Sequence, residues 1–81
     1  MSLNFRPARP ATEVPSFDDC EIRITEFEGP KGNARFSFST NVPGLGVYNS
    51  GSISFGSYEK AYARAVEVIE NGIARLAREL A

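Results

Sequence analysis

Between residues 57 and 80 the large apolar side chains recur at steps of three and four. Tyr62, Val66, Ile69, Ile73, Leu76 and Leu80 trace one stripe down the segment SYEKAYARAVEVIENGIARLAREL. The other side of that segment reads Glu59, Lys60, Arg64, Glu67, Glu70, Asn71, Arg75, Arg78 and Glu79, so the pattern predicts one amphipathic helix that needs an apolar surface beneath it. Ser57 is placed to cap its first turn, Glu59 to complement the positive end of the helix dipole, and Arg75 and Arg78 the negative end. Gly72 costs about 1 kcal/mol against alanine in a helix interior, but the stripe passes it without a change of phase. With Ala61 and Ala65 it forms a second line of small residues, which predicts room for a bulky ring close to the helix backbone.

Upstream the period changes from helical to two. CEIRITEFE, residues 20–28, sets Ile22 and Ile24 on one face and Glu21, Arg23 and Thr25 on the other. ARFSFSTNV, residues 34–42, places Ala34, Phe36, Phe38, Thr40 and Val42 inward and Arg35, Ser37, Ser39 and Asn41 outward. The intervening Gly-Pro-Lys-Gly-Asn joins the two as an antiparallel hairpin. Pro43-Gly44-Leu45-Gly46 turns the chain again, and VYNSGSISF, residues 47–55, reads as a third strand with Val47, Ile53 and Phe55 inward and a bulge at Gly51. The first sixteen residues hold three prolines and no periodicity, which predicts an extended or disordered arm (1–16) ahead of a single domain (17–81).

The expected fold is therefore α+β: a three-stranded antiparallel meander covered on one face by a single long C-terminal helix. Its expected core is Ile22, Ile24, Phe36, Phe38, Ile53 and Phe55 against Tyr62, Val66, Ile69 and Ile73. A helix of this length spans roughly 36 Å, whereas strands of eight or nine residues span roughly 26–30 Å. The overhang leaves Leu76 and Leu80 without a partner in the meander, to be covered either by the N-terminal arm or by a second protomer, and the expected answer is a homodimer with these two as contacts.

Composition narrows the function. The 81 residues suffice for one small core. Net charge is −1, with acidic and basic residues interspersed, so a nucleic-acid or anionic-membrane partner has little to hold. No apolar run approaches a membrane span, and the expected address is the cytoplasm, in keeping with one unpaired cysteine. Cys20 lies among Asp18, Asp19 and Glu21, which disfavour its thiolate, so a structural place at a strand start is expected of it. The chain has no histidine, which removes the Ser–His and Cys–His pairs and histidine metal sites. Gly44 and Gly46 precede a strand and not a helix, so no phosphate cradle forms there. No catalytic residue, cofactor or metal is expected.

One surface invites a partner. The outward sheet face is expected to present Arg23, Thr25, Arg35, Ser37, Ser39, Tyr48, Ser50 and Ser52, a flat hydroxyl array with two arginines. The plain account of such a face is a solvated antiparallel surface. The β-β-β-α order together with Phe55, Ser57, Glu59 and Ala61 at the helix entry resembles the plant AP2 DNA-binding domains and the arm-binding domains of tyrosine integrases, over residues 20 to about 70. That resemblance implies a sheet face set in the DNA major groove. The sequence departs from it in having no tryptophan and in balancing Arg23, Lys31 and Arg35 with Glu21, Glu26 and Glu28. The expected function is a non-enzymatic protein-interaction or assembly module, homodimeric. The alternative is weak nucleic-acid binding by the outward face, helped by Arg6 and Arg9.

Overall fold

The computed structural model describes residues 14–80. The extended arm expected over residues 1–16, with Arg6 and Arg9, lies outside them except for Val14, Pro15 and Ser16. The described chain opens with a 3-10 turn, Phe17–Asp19, closed by Ser16 and Asp19: the Ser16 N–H donates to Asp19 Oδ2 at 2.9 Å, and the Asp19 N–H returns to the Ser16 carbonyl at 3.1 Å.

Three strands and one helix follow: β1 (Glu21–Glu28), β2 (Ala34–Val42), β3 (Gly46–Asn49) and α1 (Tyr58–Leu80). The sheet order is β1-β2-β3, all antiparallel, and α1 covers one face. Strict alternation fixes the β1–β2 register, with Ile24 opposite Phe38 and Arg23 opposite Ser39. In the hairpin between them the Gly29 N–H donates to the Asn33 carbonyl at 2.7 Å, and Gly32 takes φ 78°, a conformation that side chains with a Cβ rarely adopt. At the helix start the Ser57 hydroxyl accepts the Lys60 N–H at 3.1 Å, so the cap forms as the sequence predicts.

The third strand differs from expectation. Regular pairing stops at Asn49, and the chain then leaves the sheet through Gly51 (φ 62°) and returns at Phe55, which exchanges backbone hydrogen bonds with Phe36 at 3.0 and 2.8 Å. The register also inverts the assigned faces of β3. Tyr48 lies opposite the inward Thr40 and Val47 opposite the outward Asn41. Tyr48 and Phe55 both stack toward Phe38, with ring centroids at 6.3 and 5.9 Å. They are seven residues apart, an odd number, so no uninterrupted strand can present both on one face. The excursion through residues 51–54 absorbs the change of phase, and Ile53, expected in the core, is left 63% exposed.

The helix meets the sheet along Ala61, Ala65, Ile69 and Leu76, all buried, with Gly72 between them. Small side chains let a helix approach closely, so the small-residue line faces the sheet and the tyrosines are turned to the side: Tyr62, expected in the core, is 40% exposed. The ring expected against Gly72 is instead Leu45, whose Cδ1 would lie 3.0 Å from a Cβ built there. At one end Tyr58 packs edge-on against Phe36, ring centroids 6.5 Å apart, and at the other Leu76 lies against the turn at Gly44, so α1 runs alongside β2 in the same sense. Val42, Ile69 and Leu76 form the buried centre, flanked by Cys20, Ile22 and Ile73. Leu76 thus finds its partners within the chain and does not overhang; only Leu80 remains partly exposed.

Candidate interaction surfaces

The eight residues expected on the outward sheet face divide into two groups. Arg23, Thr25, Arg35, Ser37 and Ser39 do share that face, on β1 and β2. Tyr48 lies on the helix side, as its register requires. Ser50 is buried and holds backbone: its Oγ accepts the Phe38 N–H at 3.2 Å, and its own N–H donates to the Phe38 carbonyl at 3.0 Å. Ser52 sits in the exposed turn outside the sheet.

The two arginines also differ. Arg35 is half-buried, its Nε donating to Ser54 Oγ at 2.9 Å and its Nη2 to the Ser54 carbonyl at 2.8 Å. This fork braces the returning segment against β2 and occupies the donors a phosphate would need. Arg23 is exposed, with Glu21 at 4.0 Å. Such a pair is worth about 0–1 kcal/mol and leaves the guanidinium open to exchange.

A groove that the sequence did not single out lies on the other side of the molecule, between α1 and β3. Thr40 and Val42 form its floor, Leu45, Val47 and Tyr48 one wall, and Arg64, Val68, Asn71 and Arg75 the other, around a volume of about 430 Å³. Its origin is lateral placement. The helix lies over β2 and β1, so among the described residues nothing covers the helix side of β3, and Tyr48 is 53% exposed. None of the lining residues is acidic. Arg64 and Arg75 bond to Glu67 and Glu79, which stand outside the lining. The spacing 64, 68, 71, 75 is a helical one and was legible as a side of the helix; its partner wall was hidden by the inverted phase of β3.

A shallower hollow of about 420 Å³ lies by the hairpin, among Glu26, Phe27, Glu28, Gly32, Asn33 and Ala34. Among the described residues no three His, Cys, Asp or Glu side chains gather as a metal site would require. The Cys20 thiol is pushed above its ordinary pKa, first by burial and then by the Asp19 carboxylate, and its Sγ lies 3.5 Å from the Ser16 carbonyl. It packs beside the buried centre as a small apolar side chain. No described helix is long and apolar enough to cross a membrane.

Compared with family models, with characterised proteins and with solved structures, the chain matches none. The functional argument therefore rests on these surfaces.

Proposed function

We propose that this domain is a non-enzymatic protein-interaction module, and that the groove between α1 and β3 takes an extended peptide segment carrying carboxylates. The observation that carries the reading is the groove's composition: a floor of Thr40 and Val42 beside a strand edge that no other described strand pairs with, two arginines, and no acid in its lining. Tyr48 turns its backbone toward β2, where its carbonyl accepts from Thr40 Oγ1 at 3.1 Å, so the N–H and C=O of Val47 and Asn49 point away from the sheet. A strand added there completes the ladder, and its alternate side chains face the groove.

The arginines set the ligand's pattern. Arg64 and Arg75 stand eleven positions apart on α1, about 16 Å at 1.5 Å per residue. Carboxylates four residues apart on an extended chain are about 13 Å apart and on one face, within reach of two flexible guanidinium groups. The residue midway between them then points at Leu45, Val68 and Gly72, where a branched apolar side chain fits. Exposed pairs such as Arg64 with Glu67 and Arg75 with Glu79 are worth about 0–1 kcal/mol, so an incoming carboxylate competes with them at little cost.

The nucleic-acid reading of the outward face is the weaker one. With Arg35 engaged by Ser54, that face offers Arg23 beside Glu21, and affinity for a phosphate backbone scales with the number of cations applied to it.

The test is a titration of the labelled protein with the peptide TETVTET, followed by amide NMR. Shifts should cluster on Val47, Tyr48, Val68 and Gly72, weaken with salt, vanish in the Arg64→Ala, Arg75→Ala double variant and be absent with the lysine counterpart TKTVTKT. Shifts that fall on the outward face, or none at about 5 mM peptide, would overturn the proposal.

A further inference from the structure

Among the described residues no strand pairs with the outer edge of β1, and a flank of α1 lies beside that edge. We infer that a second copy of this chain pairs with it: β1 joins β1 in an antiparallel register centred on Ile22, and α1 packs against α1 along Val66, Ile73 and Leu80.

The free edge follows from the hydrogen bonds of β2. Phe36 and Phe38 exchange theirs with Phe55 and Ser50, on the side away from β1. In an antiparallel ladder the bonded and unbonded pairs alternate, so Ile24↔Phe38 and Glu26↔Phe36 are unbonded pairs. The N–H and C=O groups of Ile22, Ile24, Glu26 and Glu28 accordingly aim out of the sheet. Such an edge is a template for another strand.

Above that edge lies the flank of α1 that the sheet does not use. Tyr62, Ile69 and Leu76 recur every seven residues, and so do Val66, Ile73 and Leu80, together the 3,4 spacing of a helix seam. The sheet takes Ile69 and Leu76. Val66 and Ile73 are half-buried, and Leu80 is 37% exposed. This flank is on the β1 side: Ile73 packs on the same buried centre as Cys20 and Ile22, whereas Arg64, Val68, Asn71 and Arg75 look toward β3.

A two-fold axis through paired antiparallel strands sets one residue opposite its own copy, and the charges choose which. Centred on Arg23, two guanidinium groups collide. Centred on Ile24 or Thr25, Ile22 or Ile24 faces a partner carboxylate from Glu26 or Glu28 beneath the helices. Centred on Ile22, Glu21 meets the partner's Arg23 twice over on the open face, while Ile22 meets the partner's Ile22 and Ile24 the partner's Cys20 on the helix face. The two Ile22 residues exchange backbone bonds, and each Ile24 N–H reaches the partner's Cys20 carbonyl. Cys20 has already given its own N–H to the Phe17 carbonyl at 3.0 Å, so its carbonyl alone is offered.

The helices belong to the same interface. Ile73 stands beside Gly72, which packs on Val42, and lies on the β1 side of α1, so pairing of the two β1 edges brings the Val66, Ile73 and Leu80 flanks of the two helices toward each other. The result is a six-stranded sheet with two antiparallel helices on one face and the two α1–β3 grooves at its outer edges. This inference does not depend on what those grooves bind.

Light scattering against concentration tests it. The wild-type chain should give twice 8.8 kDa. Arg23→Glu should weaken association about tenfold, because it replaces two cross-strand attractions by repulsions, and Glu21→Arg combined with Arg23→Glu should restore it. Both side chains are more than half exposed, so neither change touches the core. Leu80→Asp should weaken association by more than tenfold, with an unchanged far-UV spectrum. A mass of 8.8 kDa up to about millimolar concentration, a dimer indifferent to Leu80→Asp, or a charge swap that fails to restore what Arg23→Glu removes would each overturn the inference.

Discussion

Replacing Ser50 by alanine isolates one hydrogen bond. The Ser50 hydroxyl is the acceptor for the Phe38 N–H, at the point where β3 has ended and the ladder has no further strand to offer. Alanine keeps the backbone bond from the Ser50 N–H to the Phe38 carbonyl and removes only the acceptor. Phe38 is 4% exposed and Ser50 9%, so water does not readily replace it. An N–H left buried without an acceptor costs about 1–3 kcal/mol. A domain of this size is stable by roughly 4–10 kcal/mol, so the loss is a large share of the total and lowers the melting temperature by roughly 5–20 °C. Urea unfolding followed by circular dichroism should show the midpoint fall with an unchanged slope, while Ser52→Ala, in the exposed turn, leaves it in place. A Ser50→Ala loss below about 0.5 kcal/mol would show that the serine belongs to a solvated face after all.

Three further outcomes follow from the packing. Ile69→Ala should cost about 2–5 kcal/mol and Tyr62→Ala less than about 1.5 kcal/mol, since Ile69 is fully buried and Tyr62 40% exposed; equal losses in urea titrations would mean the helix is rotated from the position described. Gly72→Ala should stabilise the helix by up to about 1 kcal/mol, because the new methyl displaces only the flexible tip of Leu45, and it should narrow the groove and weaken the TETVTET peptide; a melting temperature below wild type would count against that balance. For Cys20, a folded-state pKa above the unfolded one means that the folded chain holds the proton more tightly, so its contribution is fully present at neutral pH and is lost as pH rises past about 8.5, where the unfolded thiol ionises. The difference between the unfolding midpoints of wild type and Cys20→Ala should therefore hold steady near pH 7 and change only at the alkaline end, and iodoacetamide should label the folded thiol more slowly than the urea-unfolded one.

The parts of the fold that were legible are those where one physical signal acts alone. In β1 and β2 the period-two alternation and a five-residue turn settle faces and register together, and Ser57 with the 3,4 spacing settles the helix. The third strand was not legible because two signals conflict there. Val47 and Ile53 look like inward residues by hydrophobicity alone, but Tyr48 and Phe55 carry more apolar area, and both reach Phe38 only across a break in the strand. The helix stripe was located but its contact line was turned by part of a turn, because hydrophobicity marks Tyr62 while closeness of approach favours Ala61 and Ala65. The outward face lost Tyr48 through the register of β3 and Ser50 through its bonds to the Phe38 backbone. The α1–β3 groove went unseen for want of its second wall, since Arg64 and Arg75 read as ordinary solvated charges until β3 is placed beside them.

The interruption between Asn49 and Phe55 also marks where this chain tolerates change in length. Both of its ends are tied to β2, Ser50 through the Phe38 backbone and Phe55 through the Phe36 backbone, and Ser54 is held again by Arg35. Residues added between those anchors displace the turn bond from the Ile53 N–H to the Ser50 carbonyl but leave the bonds to β2 in place, and doubling a loop costs only about 0.6 kcal/mol in closure entropy. A tag, a fluorophore or a grafted loop placed after Gly51 would project from the sheet rim with the scaffold undisturbed. Along the rest of the sheet a single inserted residue would reverse the face of every side chain that follows.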